Sequence, residues 1–150
     1  MSAVHVPPSL AVLYEEDETL WLEETARLVA ARRFDAIDAD NLAEYLCDMA
    51  LRDKREVLSR LVVLLTHLLK CDAQADRRSG RWEATVRHQR FELTKLLRSD
   101  TLRRHAEAVV SEAYDEARAQ AELETRLGAD AFPADCPFDL DEVLTRPLAK

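Results

Sequence analysis

Only two glycines and five prolines interrupt this chain, and Pro7, Pro8 and Pro147 lie near its ends. An interior with so few breakers, in which Ala, Leu, Glu and Arg predominate, is biased strongly toward helix. The stretch RLVVLLTHLLK, Arg60 to Lys70, indicates what kind of helix. Placed on a helical wheel, Val57, Leu58, Leu61, Val62, Leu64, Leu65, Leu68 and Leu69 fill one wide arc. Glu56, Ser59, Arg60, Thr66, His67 and Lys70 share the other arc with a single apolar intruder, Val63. A membrane span would not keep Arg60, Thr66, His67 and Lys70 on one side, and no run reaches the ~18 apolar residues that spanning requires. The pattern predicts the central core helix of a bundle.

Other helices follow from caps and periodicity. Acidic residues at Glu15 to Glu18 and basic ones at Arg32 and Arg33 complement the dipole of a helix over 17–33, with Trp21, Leu22, Leu28 and Val29 as its apolar side. Asp38, Asp40 and Asn41 offer cap oxygens to a second helix through Leu42, Tyr45, Leu46 and Met49, ending near Arg52. The third runs from about Asp53 to Cys71. After the polar loop DAQADRRSG, a fourth spans Trp82 to Arg98, with Trp82, Val86, Leu93, Leu96 and Leu97 inward and Gln89 in the middle of that face, where burial would demand a hydrogen bond. A fifth, Thr101 to Leu127, stacks Leu102, Ala106, Val109, Val110, Ala113 and Ala117 and ends at Gly128 as a C-cap. Asp139 is placed to cap a last short helix. The expectation is an all-α, mainly antiparallel bundle of about five helices plus the short C-terminal one, with no internal repeat or strand-like alternation.

A chain of 150 residues suffices for one core. We therefore expect an N-terminal arm over 1–14 and a single helical domain over 15–150. A net charge of −8 argues against a wholly basic nucleic-acid binder. Three cysteines, Cys47, Cys71 and Cys136, without a C-x-x-C pair suit thiols in a reducing compartment better than disulfides. The N-terminal stretch has no basic n-region and carries a proline pair, unlike a secretory signal, so a cytoplasmic location is expected.

Charge is unevenly distributed. Between Arg77 and His105, nine Lys/Arg face three acids, a net +6, which leaves −14 on the rest. On the fourth helix Arg87, Lys95 and Arg98 surround Phe91, with His88 beside them: a cationic face holding an aromatic, of the kind that tracks a nucleic-acid backbone. The commoner use of such a face is packing of Phe91 on another helix or a second subunit, with the arginines paired to acidic helices. His67 and Cys71 stand one turn apart, a spacing that can carry two metal ligands, with Cys47 as a conceivable third; a lone His at the edge of an apolar face is more often a hydrogen-bonded border residue, here one within reach of Trp82. Glu44 and Asp48, also one turn apart, have the spacing of acid/base or di-metal carboxylates, but such a pair is usually a solvated stripe or an ion-pair partner, for instance of Arg81 or Arg90. No G-x-S-x-G is present, and two glycines cannot build a phosphate loop. No catalytic residue, cofactor or metal is predicted.

Five blocks in order, LYEEDETLWLEETARLV, FDAIDADNLAEYLCDM, SRLVVLLTHLLK, RRSGRWEATVRHQRFEL and FPADCPFDLDEVL, together resemble the bacterial domain-of-unknown-function family numbered twenty-nine, from about Leu13 to Leu144. The resemblance implies a small, all-helical bacterial protein, typically a free-standing domain, and brings no reaction with it. The family's recurring features map onto Trp21, Asp38, Asn41, Glu44, Asp48, Met49, His67, Leu68, Trp82, Arg90, Pro133, Cys136 and Pro137. Where members often carry an aromatic shortly after the LYEED stretch, this chain has Glu18-Thr19. Glu44, Asp48, His67, Trp82, Gln89 and Arg90 are the candidates for a polar network that registers the helices.

The reading is a non-catalytic protein-interaction or self-associating module, with Phe91, Tyr14 and the stretch Val4 to Leu13 as candidate exposed anchors. The alternatives are a nucleic-acid-associated protein using residues 77–104 and, third, a metal-dependent enzyme.

Overall fold

A computed structural model of the protein describes residues 8–148. The described residues are all-α, with six helices: α1 (Leu10–Glu16), α2 (Glu18–Ala30), α3 (Ala39–Ala73), α4 (Gly80–Leu96), α5 (Asp100–Thr125) and α6 (Leu140–Thr145). Among the described residues no helix is long and apolar enough to cross a membrane. Residues 1–7, which hold part of the expected arm and of the stretch Val4 to Leu13, lie outside the described residues. Of the rest of that stretch, residues 10–14 belong to α1, which Ser9 caps: its side chain accepts from the Val12 amide.

Contacts divide the chain into two compact units, Met1–Ala50 and Leu51–Lys150. The helix α3 belongs to both by sequence, which corrects the expected break at Arg52. Nothing between Ala39 and Ala73 is Gly or Pro, and once a helix is nucleated each further residue adds a backbone hydrogen bond, so Asp53 has no stop to cap.

In the second unit the core is built around the C-terminal part of α3. Val57, Leu61, Leu64 and Leu65 are fully buried, joined by Leu93 of α4 and Ala106, Ala113 and Tyr114 of α5. Side-chain pairs give the directions. Lys70 Nζ lies 4.5 Å over the Trp82 ring and Arg60 donates to Gln89 Oε1 at 3.1 Å, so α4 runs antiparallel to α3. Thr66 Oγ1 lies 3.5 Å from the Ala117 carbonyl and Lys70 Nζ 2.7 Å from Glu124, so α5 runs parallel to α3. The tail then returns along α5: Arg118 donates to the Ala129 carbonyl, Tyr114 to that of Pro133 at 2.6 Å, and Arg103 to Asp141. Phe132, Phe138, Leu140 and Val143 of this tail are buried in the same core.

Two expectations for α3 and α5 change. Thr66 and Lys70, assigned to the polar side, are 2% and 8% exposed. Thr66 lies against the Ala117 carbonyl of α5, and Lys70 sits between Trp82 of α4 and Glu124 of α5, so neighbouring helices close over this side as well. The two polar side chains are tolerated there because Thr66 donates to the Val62 carbonyl and Lys70 meets a carboxylate. The expected cap Gly128 lies beyond the end of α5; Arg126 takes the left-handed conformation at φ 58, and its amide closes on the Glu122 carbonyl.

The first unit buries less: among its described residues Leu13, Trp21, Thr25 and Leu28 are buried. Trp21 stacks between Tyr14, 4.8 Å away, and Tyr45, 5.6 Å away. Tyr14, expected to be an exposed anchor, is thus half-buried against Trp21.

Truncating Leu65 to Ala should destabilise the protein by about 2–5 kcal/mol, because the surrounding helices cannot collapse into the space. The same change at Leu46, 58% exposed, should stay within about 0.5 kcal/mol. Urea unfolding followed by circular dichroism reads both.

Candidate functional site

The outward face of α4 is set by its N-cap: Ser79 accepts from the Trp82 amide and fixes the register in which Val86 and Leu93 point inward. Arg87, Phe91 and Lys95 then fall one turn apart on the opposite side, with Arg98 just beyond the helix end. Phe91 is 62% exposed and packs on no core, so the expectation that another helix of this chain covers it is not met. Lys95 Nζ sits 5.1 Å from its ring centroid and 3.2 Å from Glu92. Glu92 also lies 3.8 Å from Arg60. The hydrogen bond from Lys95, aided by the charges of Lys95, Arg60 and His88, holds the Glu92 carboxyl below its usual range. A groove of about 520 Å³ beside Phe91 is lined by Gly80, Glu83, Ala84, Arg87 and His88.

The residues of the candidate polar network have several separate partners. Glu44 and Asp48 are exposed on α3 in the first unit, where their charges, second to desolvation, raise the Tyr14 phenol above its ordinary range. In the second unit, His67 Nδ1 lies 2.9 Å from the Val63 carbonyl, as a border histidine does, and Lys70 rather than His67 covers Trp82. Gln89 is half-buried at the edge of its face and accepts from Arg60. Arg90 donates to the carbonyls of Val143 and Arg146, so it ties α6 and its exit to α4. Desolvation and the nearby Arg146 lower its pKa. A long polar side chain at a helix edge reaches the nearest free backbone or side-chain group, which angular spacing does not reveal.

Among the described residues no group of three or more His, Cys, Asp or Glu is placed to hold a metal. Cys71 is fully buried, and burial pushes its thiol pKa up. Cys136, also raised by burial, lies with its sulfur 3.3 Å from the Phe138 carbonyl.

The first unit holds a surface that helical periodicity did not announce. Leu22, Ala26 and Val29 of α2 face Leu42 and Leu46 of α3 across an open apolar groove of about 410 Å³, with Thr25 and Tyr45 also in its lining. Its signal was present as the pairing of two apolar stripes. Both stripes read as core because nothing in the sequence says that a stripe stays uncovered.

Two measurements check these environments. Ellman's reagent should titrate Cys47, exposed on α3, at once, Cys136 slowly, and Cys71 only on unfolding. The Glu124 carboxyl is held below its ordinary 4.5 by hydrogen bonds from Gln120 and Lys70. Its contribution to stability is therefore present above pH 4.5 and lost as pH falls through the lower folded value. Glu124→Gln should flatten that part of the stability curve, read by thermal melts on a pH series.

Residues 13–148 match the family model described as Domain of unknown function DUF29. No curated protein and no solved structure matches the chain. The family match covers α2 to α6 in full and most of α1, together with the returning tail, and the chain therefore belongs to the DUF29 family.

Proposed function

We propose that the protein is a non-catalytic interaction module whose outer α4 face docks on a protein partner or on a second copy of itself. The observation that carries this reading is Phe91: a large aromatic left 62% exposed, in the middle of Arg87, Lys95 and Arg98, beside a groove. An exposed aromatic with aliphatic and cationic stems around it has the anatomy of an interface anchor, in which the ring supplies buried area and the charges form the rim. The charge at its centre is partly neutralised, since Glu92 engages Lys95, and this favours an apolar anchor over a phosphate track.

A second reading rests on a different observation. Arg77, Arg81, Arg87, Arg98 and Arg104 make no ion pair with another described residue and remain available for phosphate contacts. Association through phosphates weakens steeply with salt, whereas burial of Phe91 does not.

Native mass spectrometry of the purified protein at low and high salt, repeated with Phe91→Asp, separates the two. The expected result is a complex that survives high salt and whose affinity falls by about tenfold or more in the variant, the scale of one interface anchor. An oligonucleotide adduct that leaves at high salt, and persists in Phe91→Asp, would instead assign the face to nucleic acid.

A further inference from the structure

We infer that the α2–α3 groove of the first unit is a docking site for a cationic amphipathic helix of a protein partner. This rests on the reading of the chain as an interaction module and names a partner class for a second surface.

Three observations point to it. The groove is apolar along its walls and open: Val29 is 40% and Leu46 58% exposed, where a folded unit would ordinarily cover such residues. In the same unit, Trp21 Nε1 and Thr25 Oγ1, one turn apart on α2, are buried without a hydrogen-bond partner, and Thr25 contributes to the groove's lining. Native cores rarely leave such atoms unpaired. With Leu13, Trp21, Thr25 and Leu28 as the buried residues among those described, the first unit is the kind of small, lightly packed body that gains most from an added apolar face.

The charge then selects the occupant. Residues 1–50 hold eleven Asp/Glu against three Lys/Arg, a net −8, while the eighteen acids and eighteen bases of residues 51–150 cancel. The unit that carries this groove thus holds the whole net charge of the chain. Nucleic acid and anionic lipid are repelled, and a helix bearing Lys and Arg beside its apolar stripe is attracted. The α2 wall from Leu22 to Ala30 is ~12 Å long, about two helical turns, so the occupant offers apolar anchors at i, i+3 or i+4, and i+7. The cationic α4 of a second copy lacks that pattern, since Phe91 is the one large exposed apolar residue on its outer face. This argues for a different protein.

The probe is a fluorescein-labelled synthetic peptide of Leu and Lys in amphipathic helical order, compared by anisotropy with a scrambled peptide of the same composition, using the full chain. The ordered peptide should bind about tenfold or more tightly than the scrambled one, and Leu46→Asp should abolish that difference. Leu46 is exposed enough for the fold to tolerate the change, and Ala26→Gln, on the other wall, serves as a second variant. Phe91→Asp should leave peptide binding unchanged. Equal binding of both peptides, or indifference to both groove variants, would overturn the inference. A dimer of the full chain in native mass spectrometry that Leu46→Asp abolishes and Phe91→Asp does not would give the groove to a second copy and overturn it as well. A Phe91-dependent complex that persists while the peptide fails would overturn the groove alone and leave the proposed function standing.

Discussion

The second unit depends on the enclosure of α3 from Val57 to Cys71. Leu61, Leu64, Leu65, Leu68 and Leu69 supply the apolar contacts, and burial of that area is the dominant favourable term. Burial on several sides has a consequence for polar residues: Thr66 and Lys70 lose water and must find partners inside the protein. They do so in the Val62 carbonyl and in Glu124 of α5. Breaking the Lys70 pair by removing its carboxylate leaves a poorly solvated ammonium, so the pair constrains the registry of α5 beyond what its modest net energy would suggest. The tail adds to the same registry, because Tyr114 reaches the Pro133 carbonyl and Arg90 holds those of Val143 and Arg146.

The two units differ in physical character. Residues 51–150 are neutral overall, and their described part buries a continuous core; residues 1–50 carry the whole net charge of −8, and among their described residues few side chains are buried. From Ala39 to Glu56, α3 contains no fully buried residue. A helix with that little burial gains stability from its continuity with a well-packed segment, since elongation costs far less than nucleation. Its surface is correspondingly free for other contacts.

Chemistry is spread thinly over both units, and the physical reason is visible in the individual side chains. His67 is engaged with its own helix, Cys71 is sealed in the core, and Glu44 and Asp48 stand in solvent beside Tyr14. What the surface does concentrate is apolar area next to charge, at Phe91 on α4 and along Leu22, Val29 and Leu46 between α2 and α3. Contacts of this kind recognise other macromolecules by shape and sign.

By itself the sequence determined the class of structure. Few breakers, apolar residues at helical spacing and well-placed cap residues made an all-α chain legible, as well as the inward faces of α3, α4 and α5 and the exposed position of Arg87, Lys95 and Arg98 around Phe91. These are local properties, decided by backbone propensity and a period of 3.6 residues. The tertiary structure alone decided that the second and third expected helices are one, that Lys70 and Thr66 lie inside, that Tyr14 rests on Trp21, and that the stripes of α2 and α3 leave a groove uncovered. Each of these depends on which residues distant in sequence come to lie alongside, and a helical wheel records the direction of a side chain without recording what it meets there.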